Sequence, residues 1–129
     1  MCGAVRYELA EPPGGIAYCH CTRCQRRTGT GFSMSALTVP GSFSLLEGAE
    51  QVETYEPGDG WRKSFCGRCG SHLFTRDPED ESRLAVRVGT LDEDPGDLPG
   101  LHQFVAYAPA WSPVPDDGLP RFPERAGAD

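Results

Sequence analysis

The chain has 129 residues, with 19 acidic side chains against 12 basic ones and a formal net charge of -7. That length suits one domain spanning residues 1–129, able to bury roughly two thirds of the surface its unfolded form exposes. The acidic balance repels nucleic-acid backbones, no run of about 18 apolar residues exists to span a bilayer, and the start lacks a basic segment followed by an apolar one, so a nucleic-acid binder, a membrane protein and a secreted protein are set aside in favour of a cytoplasmic one.

Glycine and proline are frequent, 16 and 12 residues, and helical periodicity is scarce, so short strands and turns are expected throughout. Val5, Tyr7 and Leu9 alternate with polar neighbours and predict a strand, closed by Pro12-Pro13-Gly14-Gly15. Residues 16–18 run into Cys19-His20-Cys21-Thr22-Arg23-Cys24, where a short turn is expected to return Cys24. Strands are predicted over 32–39, stopped by Pro40-Gly41, then over 43–46 and 52–55, before the breaker Pro57-Gly58-Asp59-Gly60. Trp61, Lys63 and Phe65 alternate into Cys66-Gly67-Arg68-Cys69, and residues 71–75 leave it, giving strand, CxxC turn, strand. Residues 77–82 form an acidic loop. Leu84, Val86 and Val88 carry the clearest period of two, and 91–98 holds at most a short turn. A last strand is predicted over 104–107, with His102 beside it as a hydrogen-bonded strand histidine. From about residue 109 the chain turns to proline, glycine and charge: an irregular tail, pinned by burial of Trp111 and turned at Asp117-Gly118. The fold class expected is mainly β, a small antiparallel-sheet protein with cysteine knuckles at strand ends.

Six cysteines in a chain without an export signal read as metal ligands rather than as three disulfides. Cys19 and Cys21 are two apart and share one side of an extended segment, and Cys24 returns to them, so all three can reach one ion. Zinc takes four ligands in closed sites and three protein ligands in open ones, so this triad leaves a position for water or a substrate sulfur. His20, between two ligands, points away from them and suits a packing role. Spacing permits another partition as well: one four-cysteine site from Cys21, Cys24, Cys66 and Cys69, leaving Cys2 and Cys19 free. Arg23, Arg26 and Arg27 form the one basic cluster, either a solvated surface or an anion contact beside the metal, where arginine forks match carboxylates.

The motifs taken together resemble the glutathione-dependent formaldehyde-activating enzyme family, which also includes centromere protein V. The matching stretches are Cys2-Gly3-Ala4-Val5-Arg6-Tyr7, the run from Cys19 to Gly29, Phe65-Cys66-Gly67-Arg68-Cys69-Gly70-Ser71-His72-Leu73-Phe74, Val88-Gly89-Thr90-Leu91-Asp92, Ala110-Trp111 and Asp117-Gly118-Leu119-Pro120. The resemblance implies a fold like that of the zinc-containing guanine-nucleotide-exchange accessory protein, and two zinc ions. One would sit on Cys19, Cys21 and Cys24, the reactive cysteines, and the other on Cys66, Cys69 and Cys2. The family pattern has a Cys-x-Cys-Gly pair at the start; Cys2-Gly3 matches its second half, and the first would lie before Met1. An upstream start, water, the N-terminal amine or His72 is therefore expected to complete that shell. The resemblance further implies a carbon–sulfur lyase that makes or cleaves S-hydroxymethylglutathione, with glutathione as the small-thiol partner and Arg26 and Arg27 on its carboxylates. A non-catalytic zinc-ordered module for a small thiol or a protein partner is the alternative. An exposed edge strand permits a homodimer.

Overall fold

The computed structural model describes residues 1–127. Nine strands dominate: β1 (Arg6–Leu9), β2 (Ile16–Cys19), β3 (Ser33–Leu37), β4 (Phe43–Glu47), β5 (Val52–Tyr55), β6 (Arg62–Cys66), β7 (His72–Arg76), β8 (Leu84–Arg87) and β9 (Gly100–Gln103). One α-helix, α1 (Thr22–Thr28), and three single-turn 3-10 segments complete the order among the described residues. The protein is thus mainly β, with its strands in two sheets.

The chain divides into two compact units, one of Met1–Gly14 with Ala36–Gly96, the other of Gly15–Ser35 with the chain from Asp97. In the first unit β1 pairs antiparallel with β4, and β5, β6, β7 and β8 follow one another as an antiparallel meander. Ala36, Cys66, Leu73, Phe74, Leu84, Ala85 and Val86 are its buried apolar core. All four residues of β8 are buried, so this strand is covered on both faces and its period of two marks no solvent side. Phe43 packs between Tyr7 and Phe74, with ring centroids 5.3 and 4.9 Å away.

In the second unit β2 has β9 on one side and the start of β3, residues 33–35, on the other. Here an expectation fails: β2 and β9 run parallel, with Cys19 opposite Gln103. The long stretch of chain between them permits the crossover a parallel pair needs, which strand-by-strand reading of neighbours does not reveal. The last strand also sits earlier than expected. Phe104 takes a left-handed conformation (φ 57°), which ends the extended run, and Val105–Tyr107 coils as a 3-10 turn. The tail beyond residue 109 is irregular yet hydrogen-bonded. His102 N–H donates to Pro120, Phe122 N–H to His102 and Phe104 N–H to Glu124. Trp111 does not pin it: the residue is 69% exposed, and backbone hydrogen bonds take the part expected of aromatic burial.

Candidate metal centres

Each unit carries one cluster of thiols, and all six cysteines are unbridged. In the first unit Cys66 ends β6 and is buried, Cys69 follows the turn, and Cys2 comes from the start of the chain. The turn closes when Gly70 N–H donates to the Cys66 carbonyl (2.7 Å), with Gly70 at φ 79°, where glycine carries little cost. Cys2 and Cys66 sulfurs stand 3.8 Å apart. Tetrahedral zinc with bonds of about 2.3 Å would set its sulfurs about 3.8 Å apart, so the donor set fits that ion. The Ser71 backbone N–H, and then that of Cys2, hold the Cys69 thiol down to about 6. At Cys2 a backbone bond at Ala4 lowers the thiol, but burial and the Cys69 and Cys66 sulfurs outweigh it, and the result is a raised pKa.

In the second unit Cys19 ends β2, Cys21 caps α1, and Cys24 lies in the first helical turn. Cys21 is extended (φ -65°, ψ 156°), so the alternation of β2 carries one residue further and places the Cys19 and Cys21 side chains on one side. The expected short turn is in fact this seven-residue helix, whose capping sulfur accepts the Cys24 N–H at 3.4 Å. Gly29 ends it in the left-handed conformation, and Arg26 and Arg27 occupy its last turn, where the helix dipole favours cations. Hydrogen bonds from Cys19 and then Cys24 push the Cys21 thiol down to about 2, against the opposing effect of burial. Cys19 is pushed far up by the same contacts, first with Cys21 and then with Cys24. The Cys19 contact lowers Cys24, yet Cys21 and burial outweigh it and raise that thiol too. Three sulfurs this close, one thiol pushed down and its two neighbours pushed up, form a donor set that a cation would complete.

Within each set, Cys2–Cys66–Cys69 and Cys19–Cys21–Cys24, the sulfurs lie within 4.8 Å of one another. Among the described residues no fourth cysteine, histidine or carboxylate joins either set. The sulfurs do not gather as one group of four. His72 opens β7 opposite Phe65 and is outside the first set. His20 is fully buried and outside the second; its Nε2 lies 2.9 Å from His102 Nδ1 instead.

The helix separates the two arginines. Arg26 is exposed and lines an open groove of about 320 Å³ with Thr22, Gln25, Gly29, Thr30 and Trp111. Positions 22, 25, 26 and 29 share one helical face, and at 3.6 residues per turn Cys24 falls on the other. Arg27 is half-buried. Trp111 at this groove was expected in the core; its proline-flanked position carries no signal that distinguishes a buried ring from a groove wall.

Three comparisons bear on this geometry. A Halomonas elongata protein provisionally named a glutathione-dependent formaldehyde-activating enzyme is 25% identical over 150 residues, covering 99% of this chain and 94% of that protein. A crystal structure of a Rhodobacter sphaeroides protein shares the fold at a TM-score of 0.60 and 24% identity, over 77% of this chain and 94% of that one. The pattern of the glutathione-dependent formaldehyde-activating enzymes matches residues 1–107, a span that holds both cysteine triads, and the chain therefore belongs to that family.

Proposed function

We propose that this protein is a zinc-dependent enzyme that forms or cleaves the carbon–sulfur bond between a small thiol and formaldehyde, with glutathione as the thiol. In the forward direction sulfur bonds to the carbonyl carbon and the thiol proton ends on the former carbonyl oxygen. Cleavage is the reverse. The observation that carries the reading is the Cys19–Cys21–Cys24 set: three sulfurs within 4.8 Å and no fourth protein donor among the described residues. Three such donors fit zinc and leave one position of a tetrahedron for a substrate sulfur. Zinc bound there would lower the pKa of a coordinated thiol, supplying a thiolate at neutral pH.

The chain's own residues supply the rest. The Cys21 thiol is pushed down by the Cys19 and Cys24 thiols beside it, and Cys24 N–H fixes the direction of its sulfur. Arg26 and Arg27 are suited to the carboxylates of a tripeptide thiol that reaches round the helix from the triad, Arg27 on the flank nearer Cys24 and Arg26 on the groove face beyond it, where Trp111 stands. The Cys2–Cys66–Cys69 set takes the second ion, with buried Cys66 as its anchor, and serves the fold. No helix among the described residues is long and apolar enough to cross a membrane. Six free thiols and the acidic charge suit a cytoplasmic protein acting on small thiols rather than on nucleic acid.

Exchange spectroscopy of glutathione with formaldehyde tests the proposal. The wild type should accelerate exchange, and the zinc-free and Cys21→Ser proteins should not. Arg26→Ala should raise the KM for glutathione about tenfold, the usual scale of one charged hydrogen bond, without lowering stability. No metal-dependent acceleration by the wild type would remove the enzyme reading. Thiol binding without acceleration would make the protein a thiol-binding module.

A further inference from the structure

The second unit is unusual in what it buries. Among the described residues its buried ones are His20, Gly31, Ser33 and His102, and the two large ones are both imidazoles, at 0% and 1% exposure. They are hydrogen-bonded to each other through His20 Nε2 and His102 Nδ1. His102 Nε2 in turn lies 2.9 Å from Asp117 Oδ2. Asp117 is held from its other oxygen, which accepts the Leu119 N–H at 3.1 Å. Tyr18 stacks on His102 with centroids 4.8 Å apart, and Phe32 leans on His20 at 5.4 Å. His20 Nδ1 is buried and has no hydrogen-bond partner.

This chain has only one consistent direction when both rings are neutral. A carboxylate only accepts, so His102 carries its proton on Nε2 and donates it to Asp117. His102 Nδ1 is then a bare lone pair, and His20 must donate to it from Nε2. The unpartnered Nδ1 of His20 is therefore the bare end of the chain, which is the less costly group to leave there than a buried N–H without an acceptor. An aspartate on the tail thus sets the tautomer of a histidine two hydrogen bonds away. That histidine sits between Cys19 and Cys21 and points to the opposite side of the segment from their sulfurs. Its backbone is tied as well: His20 N–H donates to Gln103 (3.0 Å), and its carbonyl accepts from Gln25 Nε2 (2.8 Å).

We propose that Asp117 and His102 are positioning residues for the Cys19–Cys21–Cys24 centre: the Asp117–His102–His20 chain locks the His20 ring from behind and so fixes where the flanking sulfurs point. The proposal rests on the reading of that triad as a metal site, and it touches neither the metal nor the substrate. Groups hydrogen-bonded directly to a ligand commonly change metal affinity by about 10-fold to 100-fold when lost, and this chain acts one step further back, through the His20 segment, so the low end of that range is expected.

Two measurements on the full chain test it. The first is nitrogen-15 NMR of the histidines in metal-free protein at a pH above the imidazole range. It should show His20 and His102 each protonated on Nε2 alone, and Asp117→Ala should release both rings into mixed tautomers. Wild-type His20 protonated on Nδ1 would overturn the proposal. The second is competition of the zinc-loaded protein with a chromophoric chelator, with Cys24→Ser identifying which of the two zinc affinities belongs to the triad. Asp117→Ala should weaken the triad about tenfold or more and leave the Cys2–Cys66–Cys69 affinity unchanged. Asp117→Asn, whose amide oxygen can still accept from His102, should restore most of the loss. An unchanged triad affinity in Asp117→Ala, or an equal loss at both centres, would overturn positioning while leaving the metal reading intact. A wild type that binds no zinc at the triad would overturn both.

Discussion

Asp117 shows how much can rest on one exposed side chain. Its carboxyl is held below the usual carboxylate range, first by the His102 hydrogen bond and then by the Leu119 N–H. A depressed folded-state pKa contributes stability that is present above the unfolded value and is lost as the pH falls through the folded one. Thermal unfolding followed from about pH 6 down to about pH 2 should therefore lose a contribution that Asp117→Ala lacks, so the difference between the two proteins should shrink with falling pH. A constant difference across that range would assign the effect to packing. At this scale the sequence is legible only in part. The thiols declare themselves by spacing, because two residues along a strand and three across a turn are fixed distances. His20 is readable as turned away from them for the same reason. Its bond to His102 is not, because 82 residues separate the pair and nothing local marks the register that joins them.

At the scale of elements, Gly31 limits how the tail closes on the loop after α1. A Cβ there would overlap the Ser112 Oγ and Cβ and come within 3.7 Å of the Trp111 ring. Gly31→Ala should therefore cost about 1–3 kcal/mol by overpacking and displace Trp111 from its groove position. Adding Ser112→Gly should recover much of the loss, since the two substitutions share one contact. Chemical denaturation with tryptophan fluorescence reads both effects; simple additivity of the two changes would contradict the contact. Strand positions were legible to within a residue or two at β1, β4, β5, β6 and β7, where alternation is bounded by glycine, proline or a knuckle. Besides the parallel β2–β9 pairing, two features escaped. Helix α1 is only seven residues long and holds no buried residue, so it leaves no apolar stripe to detect. β9 ends because Phe104 adopts a left-handed backbone, a choice its aromatic side chain does not announce.

At the scale of the whole molecule, the thiols divide between the two compact units, three in each. Cys66 is 2% exposed within an apolar core, whereas the Cys19–Cys21–Cys24 set is half-buried in a unit whose fully buried large residues are histidines. Cys66→Ser should therefore lower stability by more than about 2 kcal/mol, because a metal bound among core residues contributes its binding energy to folding. Cys24→Ser should remove one zinc and leave a folded protein. Thermal unfolding beside metal analysis checks the contrast, and equal destabilisation would contradict a division of labour between the two sets. The most direct test of the central claim is crystallographic: anomalous scattering at the zinc edge from crystals soaked with glutathione. The account predicts two ions, one on Cys2, Cys66 and Cys69 and one on Cys19, Cys21 and Cys24, with the glutathione sulfur in the fourth position of the second. A single ion shared by Cys21 and Cys66, or a Cys19–Cys21–Cys24 set that holds no metal, would contradict it.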